Sequence, residues 1–307
     1  MKNLLNLPTN ELICLANSFR KGLPLELCSI MNAKSGMCPE DCKFCAQSSH
    51  YKTGILSYPL KSKNEILERA EFAKSIGAKR FAIVTSGSKP THKELEAIAD
   101  AISEIKGILC CASLGRLDKS SLLALKDAGL KRFHHNIETS ERFFPNIVTT
   151  YPFSEKIRTI EYAKEVGLEV CSGCIIGMGE SWKDRLNIAN LLKSLGVNSV
   201  PINVLIPIKN TAFEKISPIS PIDVIKTIAI FRIILQDKTI KIGAGRENLG
   251  RAELLAFLAG ANGMIIGGYL TIKGREISED QQLISEIKSL FKNKDHKISC
   301  NISGFLL

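Results

Sequence analysis

Arg80–Ser113 reads RFAIVTSGSKPTHKELEAIADAISEIKGILCCAS, and its pattern sets the fold class. A short β-branched run, Arg80–Thr85, is followed by a helical stretch, His92–Ile105, and a second strand-like run, Ile108–Ser113. Strand, helix, strand in that order implies a parallel pair joined by a helical crossover. The same rhythm continues in both directions. Further strand-like runs are Ser29–Lys34, Arg132–Ile137, Leu168–Cys174, Ser199–Leu205, Ile240–Ala244 and Gly263–Gly267. Helical stretches at Asn64–Ile76, Ser120–Ala128, Ser154–Val166 and Trp182–Leu195 each stop at a glycine, a common helix C-terminus signal. Pro221–Leu235 and Arg251–Leu258 complete the helices. Eight strands alternating with helices predict an α/β fold, a (β/α)8 TIM-type barrel. The alternative is an open six-stranded sheet with extra edge strands.

No Pro- or Ser-rich linker interrupts the rhythm, so residues 1–307 read as one domain. The barrel core spans about 29–272. An N-terminal helical extension, 1–28, carries a helix at Asn10–Arg20, and a short C-terminal tail, 273–307, carries one around Glu279–Lys292.

Composition narrows the function. The chain is 45% hydrophobic and 23% charged, which excludes disordered and fibrous classes. No signal-peptide pattern and no membrane-length apolar run occur, so a cytoplasmic protein without membrane partners is expected. The net charge of +10 suits either nucleic acid or a scattered solvated surface. Lysines are dispersed and only 6% of residues are aromatic, which disfavours a nucleic-acid partner. A positive surface also suits an acidic electron carrier.

Ten cysteines are many for a chain in a reducing compartment, where clustered thiols point to metal or catalysis. Three of them form Cys38-x3-Cys42-x2-Cys45, in the loop after the first strand. Barrel active sites are built from such loops. Three thiolates can bind three irons of a cubane and leave the fourth iron open. Structural zinc needs a fourth protein ligand, and neither His50 nor Cys110 completes a common zinc spacing.

Cys-x3-Cys-x2-Cys with Phe44 before the last cysteine resembles the signature of radical S-adenosylmethionine (SAM) enzymes. The resemblance extends over about residues 26–272. CPEDCKFCAQSSHYK at Cys38–Lys52, NIETSERFFPNIVT at Asn136–Thr149, VCSGCIIGMGE at Val170–Glu180, VPIN at Val200–Asn203, GAGRE at Gly243–Glu247 and GAN at Gly260–Asn262 are similar to the biotin synthase family. That resemblance implies a [4Fe-4S] cluster on Cys38, Cys42 and Cys45, whose open iron is chelated by SAM. It implies that 5′-deoxyadenosyl radicals from two SAM molecules abstract hydrogens from dethiobiotin. Sulfur from an auxiliary iron–sulfur cluster then enters between two saturated carbons. Reduced flavodoxin or ferredoxin as electron donor, and a homodimer, are implied in the same way. Rival readings are a related radical SAM enzyme, of hydrogenase-maturation or amino-acid-mutase type, and a non-catalytic iron–sulfur protein. The latter would need a fourth cysteine in the motif.

The auxiliary site departs from the family pattern. The usual small cluster has three cysteines and an arginine, which the resemblance places at Ala82, Cys111, Cys171 and Arg246; alanine cannot ligate iron. Cys174 and Cys110 are thiols the usual pattern lacks. The expectation is that Cys111, Cys171 and Cys174 hold a rearranged cluster, [2Fe-2S] or four-iron, with Arg246 as a tuning charge beside it. The alternative makes Cys174 and Cys110 small buried hydrophobes. Adjacent strand residues face opposite ways, so Cys110 and Cys111 cannot both point inward. Cys14, Cys28 and Cys300 are expected outside the barrel mouth.

His134, Asn136 and Glu138 alternate, so period two puts them on one face and turns His135 outward. The resemblance implies SAM ribose contacts for Asn136 and Glu138, and ureido contacts with dethiobiotin for His134, Asn136 and Asn203. It also implies SAM contacts for Ser86, Gly87, Lys156 and Gly177, and a carboxylate contact for Thr271. His134 stands where the family has an asparagine.

Overall fold

The computed structural model describes residues 2–272 and 274–292. Two helices lead, α1 (Lys2–Asn6) and α2 (Thr9–Arg20). They are followed by β1 (Glu26–Lys34), α3 (Lys63–Ser75), β2 (Arg80–Thr85), α4 (His92–Glu104), β3 (Leu109–Ser113), α5 (Lys119–Asp127) and β4 (Arg132–His134). The second half runs α6 (Phe153–Glu165), β5 (Glu169–Cys171), β6 (Cys174–Ile176), α7 (Trp182–Ser194), β7 (Ser199–Val204), α8 (Pro221–Leu235) and β8 (Thr239–Ile242). It closes with α9 (Glu253–Leu258), β9 (Gly263–Ile265) and α10 (Ile277–Lys292).

All strand pairings are parallel. The order β5-β4-β3-β2-β1-β9-β8-β7-β6, with β5 also pairing β7, closes the ring. β5 and β6 are two halves of one strand. Cys171 pairs Ser199 and Cys174 pairs Ile202, an unchanged offset of 28 in both cases. The ladder lapses between them because Pro201 has no N–H to donate. Gly173 tolerates the contact there, since a Cβ on it would lie 1.8 Å from the Pro201 carbonyl oxygen. The barrel therefore has eight staves, as the strand–helix rhythm predicts.

Local chemistry defines the elements. Ser62 with Glu65, Thr91 with Glu94 and Ser181 with Asp184 form reciprocal capping boxes that start α3, α4 and α7. On β8, Ile240 and Ile242 face the helices and are fully or almost fully buried. α8 is buried along nearly its whole length because α2 covers its outer face. The leading helix α2 thus packs outside α8 and α9.

The loops before β1 and after α8 meet at Asn262. Its Oδ1 accepts from Ile240 N (2.9 Å) and Arg232 Nη2 (2.7 Å), and its Nδ2 donates to the Pro24 carbonyl (3.1 Å). Asn262→Ala orphans a buried amide and part of a buried guanidinium. The expected loss is about 2–4 kcal/mol, read as a lower urea midpoint with an unchanged m-value.

Candidate active site

The barrel mouth holds a cavity of about 310 Å³, lined by residues from the cysteine loop, the strands and the segment after β9. Phe44 and Cys45 lie on its rim, His134, Asn136 and Glu138 on one wall, and Asn203 and Thr271 on another.

The cysteine loop is held from several sides. Ser86 Oγ donates to the Gly36 carbonyl (2.7 Å), and Gly36 N donates to Gln47 Oε1 (3.1 Å). The Glu40 carboxylate accepts from Arg116 (2.7 Å) and from the hydroxyls of Ser88 and Thr150. Burial opposes the Glu40 charge, yet these donors hold its carboxyl below the ordinary glutamate value. Asp41 accepts from Thr149 N (2.9 Å). Cys38, Cys42 and Cys45 are free thiols at this half-exposed loop. Burial pushes the Cys42 thiol up to about 12 and Cys45 to about 11, so both stay protonated until a metal displaces the proton. Among the described residues no three ligand-type side chains converge as those of a single ion would. Thiolates of a polynuclear cluster bind separate irons and need no common point.

The wall residues follow the period-two prediction. Phe133 and His135 face outward and stack at 6.2 Å. Asn136 Oδ1 accepts from Gly173 N (3.1 Å), replacing the ladder bond lost at the strand break. Glu138 has φ +68°, a left-handed backbone uncommon outside glycine and a mark of local strain. Burial raises its carboxyl pKa, partly offset by Lys156, whose Nζ stands 3.7 Å from Oε1. The other oxygen, Oε2, is buried without a hydrogen-bond partner, as is His134 Nε2. Burial, then the charge of Lys241, holds His134 neutral, well below the ordinary histidine value. Unpartnered polar atoms on a cavity wall are able to bond a ligand, and a carboxylate oxygen and an imidazole nitrogen fit the hydroxyl and ureido groups expected here. Asn203 donates to the Cys174 carbonyl (3.2 Å) and accepts from Ala244 N (3.0 Å). Gly177 N donates to Glu180 Oε1 (2.9 Å), and neither Gly177 nor Gly87 nor Lys156 lines the cavity directly.

The auxiliary-site expectation needs two corrections. Cys174 faces the helices and belongs to the apolar core, as Cys110 does. It lies three residues after Cys171 on an unbroken register, so period two sends it to the opposite face. Arg246 is 1% exposed and points away from the cavity. Its guanidinium binds Glu253 and Asp280 and reaches Tyr269 OH at 3.0 Å, tying α9 and α10 to the barrel end.

The interior contains something else. β1 begins at Glu26, so Cys28 is a strand residue facing inward with Ile30, and both line the cavity. This overturns its expected place outside the mouth. Glutamate is a poor strand former, which hid the true start. Lys241 enters from β8, and its Nζ lies 3.0 Å from Cys28 Sγ and 2.9 Å from Glu26 Oε1. Cys14 lies on α2, and Cys300 falls outside the described residues.

Comparison with known proteins accords with this geometry. Residues 34–192 match the radical SAM superfamily, and residues 201–288 match the Biotin and Thiamin Synthesis associated domain. The biotin synthase of Thermotoga petrophila is 52% identical over 296 residues, covering 95% of this chain and 99% of that protein. That of Thermodesulfovibrio yellowstonii is 52% identical over 89% of this chain and 88% of its own. The chain belongs to the biotin synthase family. Among solved structures, methylornithine synthase superposes with TM-score 0.80 at 18% identity, covering 94% of this chain and 91% of its own. An FeFe-hydrogenase maturase from Carboxydothermus hydrogenoformans gives 0.75 at 20%, over 90% and 70%. At those identities they show the barrel fold. As a member of the biotin synthase family the chain is a radical SAM enzyme, and the non-catalytic and other-substrate readings lose their support.

Glu40→Ala leaves the Arg116 charge with one fewer partner under the cysteine loop. The expected result is a loss of about 2–3 kcal/mol, a lower thermal midpoint, and faster removal of loop-bound iron by a chelator.

Proposed function

We propose that this chain makes biotin from dethiobiotin by radical insertion of sulfur. One observation carries the reading. In a member of the biotin synthase family, the three-cysteine loop, the Asn136–Glu138 wall and the Asn203 amide share a single cavity.

Cys38, Cys42 and Cys45 hold a [4Fe-4S] cluster at the rim. Together with SAM, that cluster supplies a 5′-deoxyadenosyl radical. The chain's own residues bind, orient and exclude water. Glu138 accepts from the vicinal ribose hydroxyls through its free Oε2, with Asn136 beside it, as a carboxylate does in nucleotide ribose sites. Lys156 neutralises Glu138 and reads the SAM carboxylate. Ser86 fixes the loop through Gly36, and the Ser86–Gly87 turn carries the methionine end of SAM. Phe44 and Gly177 flank the adenosyl moiety. Asn203 and His134 address the ureido ring, the amide because it offers both a donor and an acceptor. Thr271 meets the dethiobiotin carboxylate. Ile30, Val84, Ile175 and Ile265 give the cavity apolar walls that carry no polar group for water to bind. An auxiliary iron–sulfur cluster would supply the sulfur, and Cys171, which lines the cavity, and Cys111 on the same inward face of the barrel strands would hold it. Reduced flavodoxin or ferredoxin delivers the electron to a surface of net charge +10, and the working form is a homodimer.

Reduced, cluster-loaded protein given SAM and dethiobiotin should form biotin with about two 5′-deoxyadenosines per biotin, the stoichiometry that two hydrogen abstractions require. Deoxyadenosine formation indifferent to dethiobiotin, with no biotin, refutes the assignment. Asn203→Asp keeps the acceptor for Ala244 N and removes the donor. It should raise KM for dethiobiotin about tenfold and leave the KM for SAM unchanged.

A further inference from the structure

We infer that the auxiliary iron–sulfur cluster is held by the thiolates of Cys28, Cys111 and Cys171, with the Lys241 ammonium against the Cys28 sulfur. The inference rests on the sulfur-donor reading above and names its ligands.

The three thiols come from β1, β3 and β5 and share the inward parity of their strands. Cys28 and Cys171 line the cavity. Cys111 sits below Ser113 on the same face, paired in register with Ala82, whose methyl leaves room where a larger side chain would fill the barrel. None of the three belongs to the apolar core that takes in Cys110 and Cys174.

The floor beneath them is charged and unbalanced. Three cations, Arg80, Arg132 and Lys241, face two carboxylates, Glu26 and Glu169, at 2.7–2.9 Å. Three minus two leaves one positive charge beside the thiols. Arg80 Nη1 is buried and has no hydrogen-bond partner. A buried surplus cation and an orphaned N–H call for an anion. Thiolates around an iron–sulfur core supply that charge, and their sulfurs accept hydrogen bonds from such donors. Gly263 makes the key approach possible. A Cβ there would stand 2.8 Å from Lys241 Cγ, so only glycine on β9 lets the lysine cross from β8 to β1. Ligation releases one proton from each thiol and involves no redox change in the protein. Lys241 is a positioning residue, since it touches a ligand sulfur and not the substrate.

The test uses the full chain carrying Cys38→Ala, Cys42→Ala and Cys45→Ala, which removes the rim site. After anaerobic reconstitution with ferrous iron and sulfide, this protein should retain iron, acid-labile sulfide and an iron-57 Mössbauer signal of an iron–sulfur cluster. Adding Cys28→Ser should cut the residual iron about tenfold or more, whereas adding Cys174→Ser should leave iron and spectrum unchanged. Adding Lys241→Met should keep the iron and shift the cluster's reduction potential. Far-UV circular dichroism of the apo proteins identifies a misfolded variant, for which Cys28→Ala then substitutes. Equal residual iron with and without Cys28 overturns the ligand assignment and leaves the sulfur-donor reading standing. So does iron lost with Cys174 instead. No residual iron in the parent variant overturns both.

Discussion

Glu26 joins four staves of the barrel from within. Its carboxylate receives Arg80 from β2, Arg132 from β4 and Lys241 from β8. Burial opposes the charge, yet Lys241 and Arg132 hold the carboxyl far below the ordinary glutamate value. Breaking a buried pair of this kind costs about 3–5 kcal/mol, a large share of a domain's net stability. A polar plug is an expensive way to fill a barrel floor compared with branched aliphatics. Above it stands a set of inward thiols that would be isolated in an apolar floor.

The cavity divides by layer. The charged residues and inward thiols lie at the floor, His134, Asn136 and Asn203 on the middle wall, and the cysteine loop at the rim. Each layer recruits residues from several strands. This vertical order follows from strand parity and stagger, which deliver successive inward residues of one strand to successive depths. The helices contribute rigidity, and α2 and α10 close the sides, the latter through Asp280 on Arg246.

Much of this was legible in the chain. The β/α rhythm, the rim motif and the shared face of His134, Asn136 and Glu138 follow from period and spacing, although β4 itself ends at His134 and the other two follow it. Cys174 and Arg246 were misplaced for a physical reason. A CxxC spacing suggests convergence on helices and loops, but on a strand it puts the two thiols on opposite faces. The parity rule that separated Cys110 from Cys111 applies equally to Cys171 and Cys174. Cys28 was missed because Glu26 disguised the start of β1, and a charged residue reads as solvent-facing until its partners are known.

Sequence alone determined the fold class, the three-cysteine motif and the family, because these rest on local periodicity and on contiguous spacing. Only the tertiary structure decided which thiols share the interior. Closure of the ring brings β1, β3, β5 and β8 around one axis, and no one-dimensional pattern records that Lys241 passes over Gly263 to reach Cys28. Charge balance on the barrel floor is likewise a sum over residues from 26 to 241, and it exists only once the strands have closed.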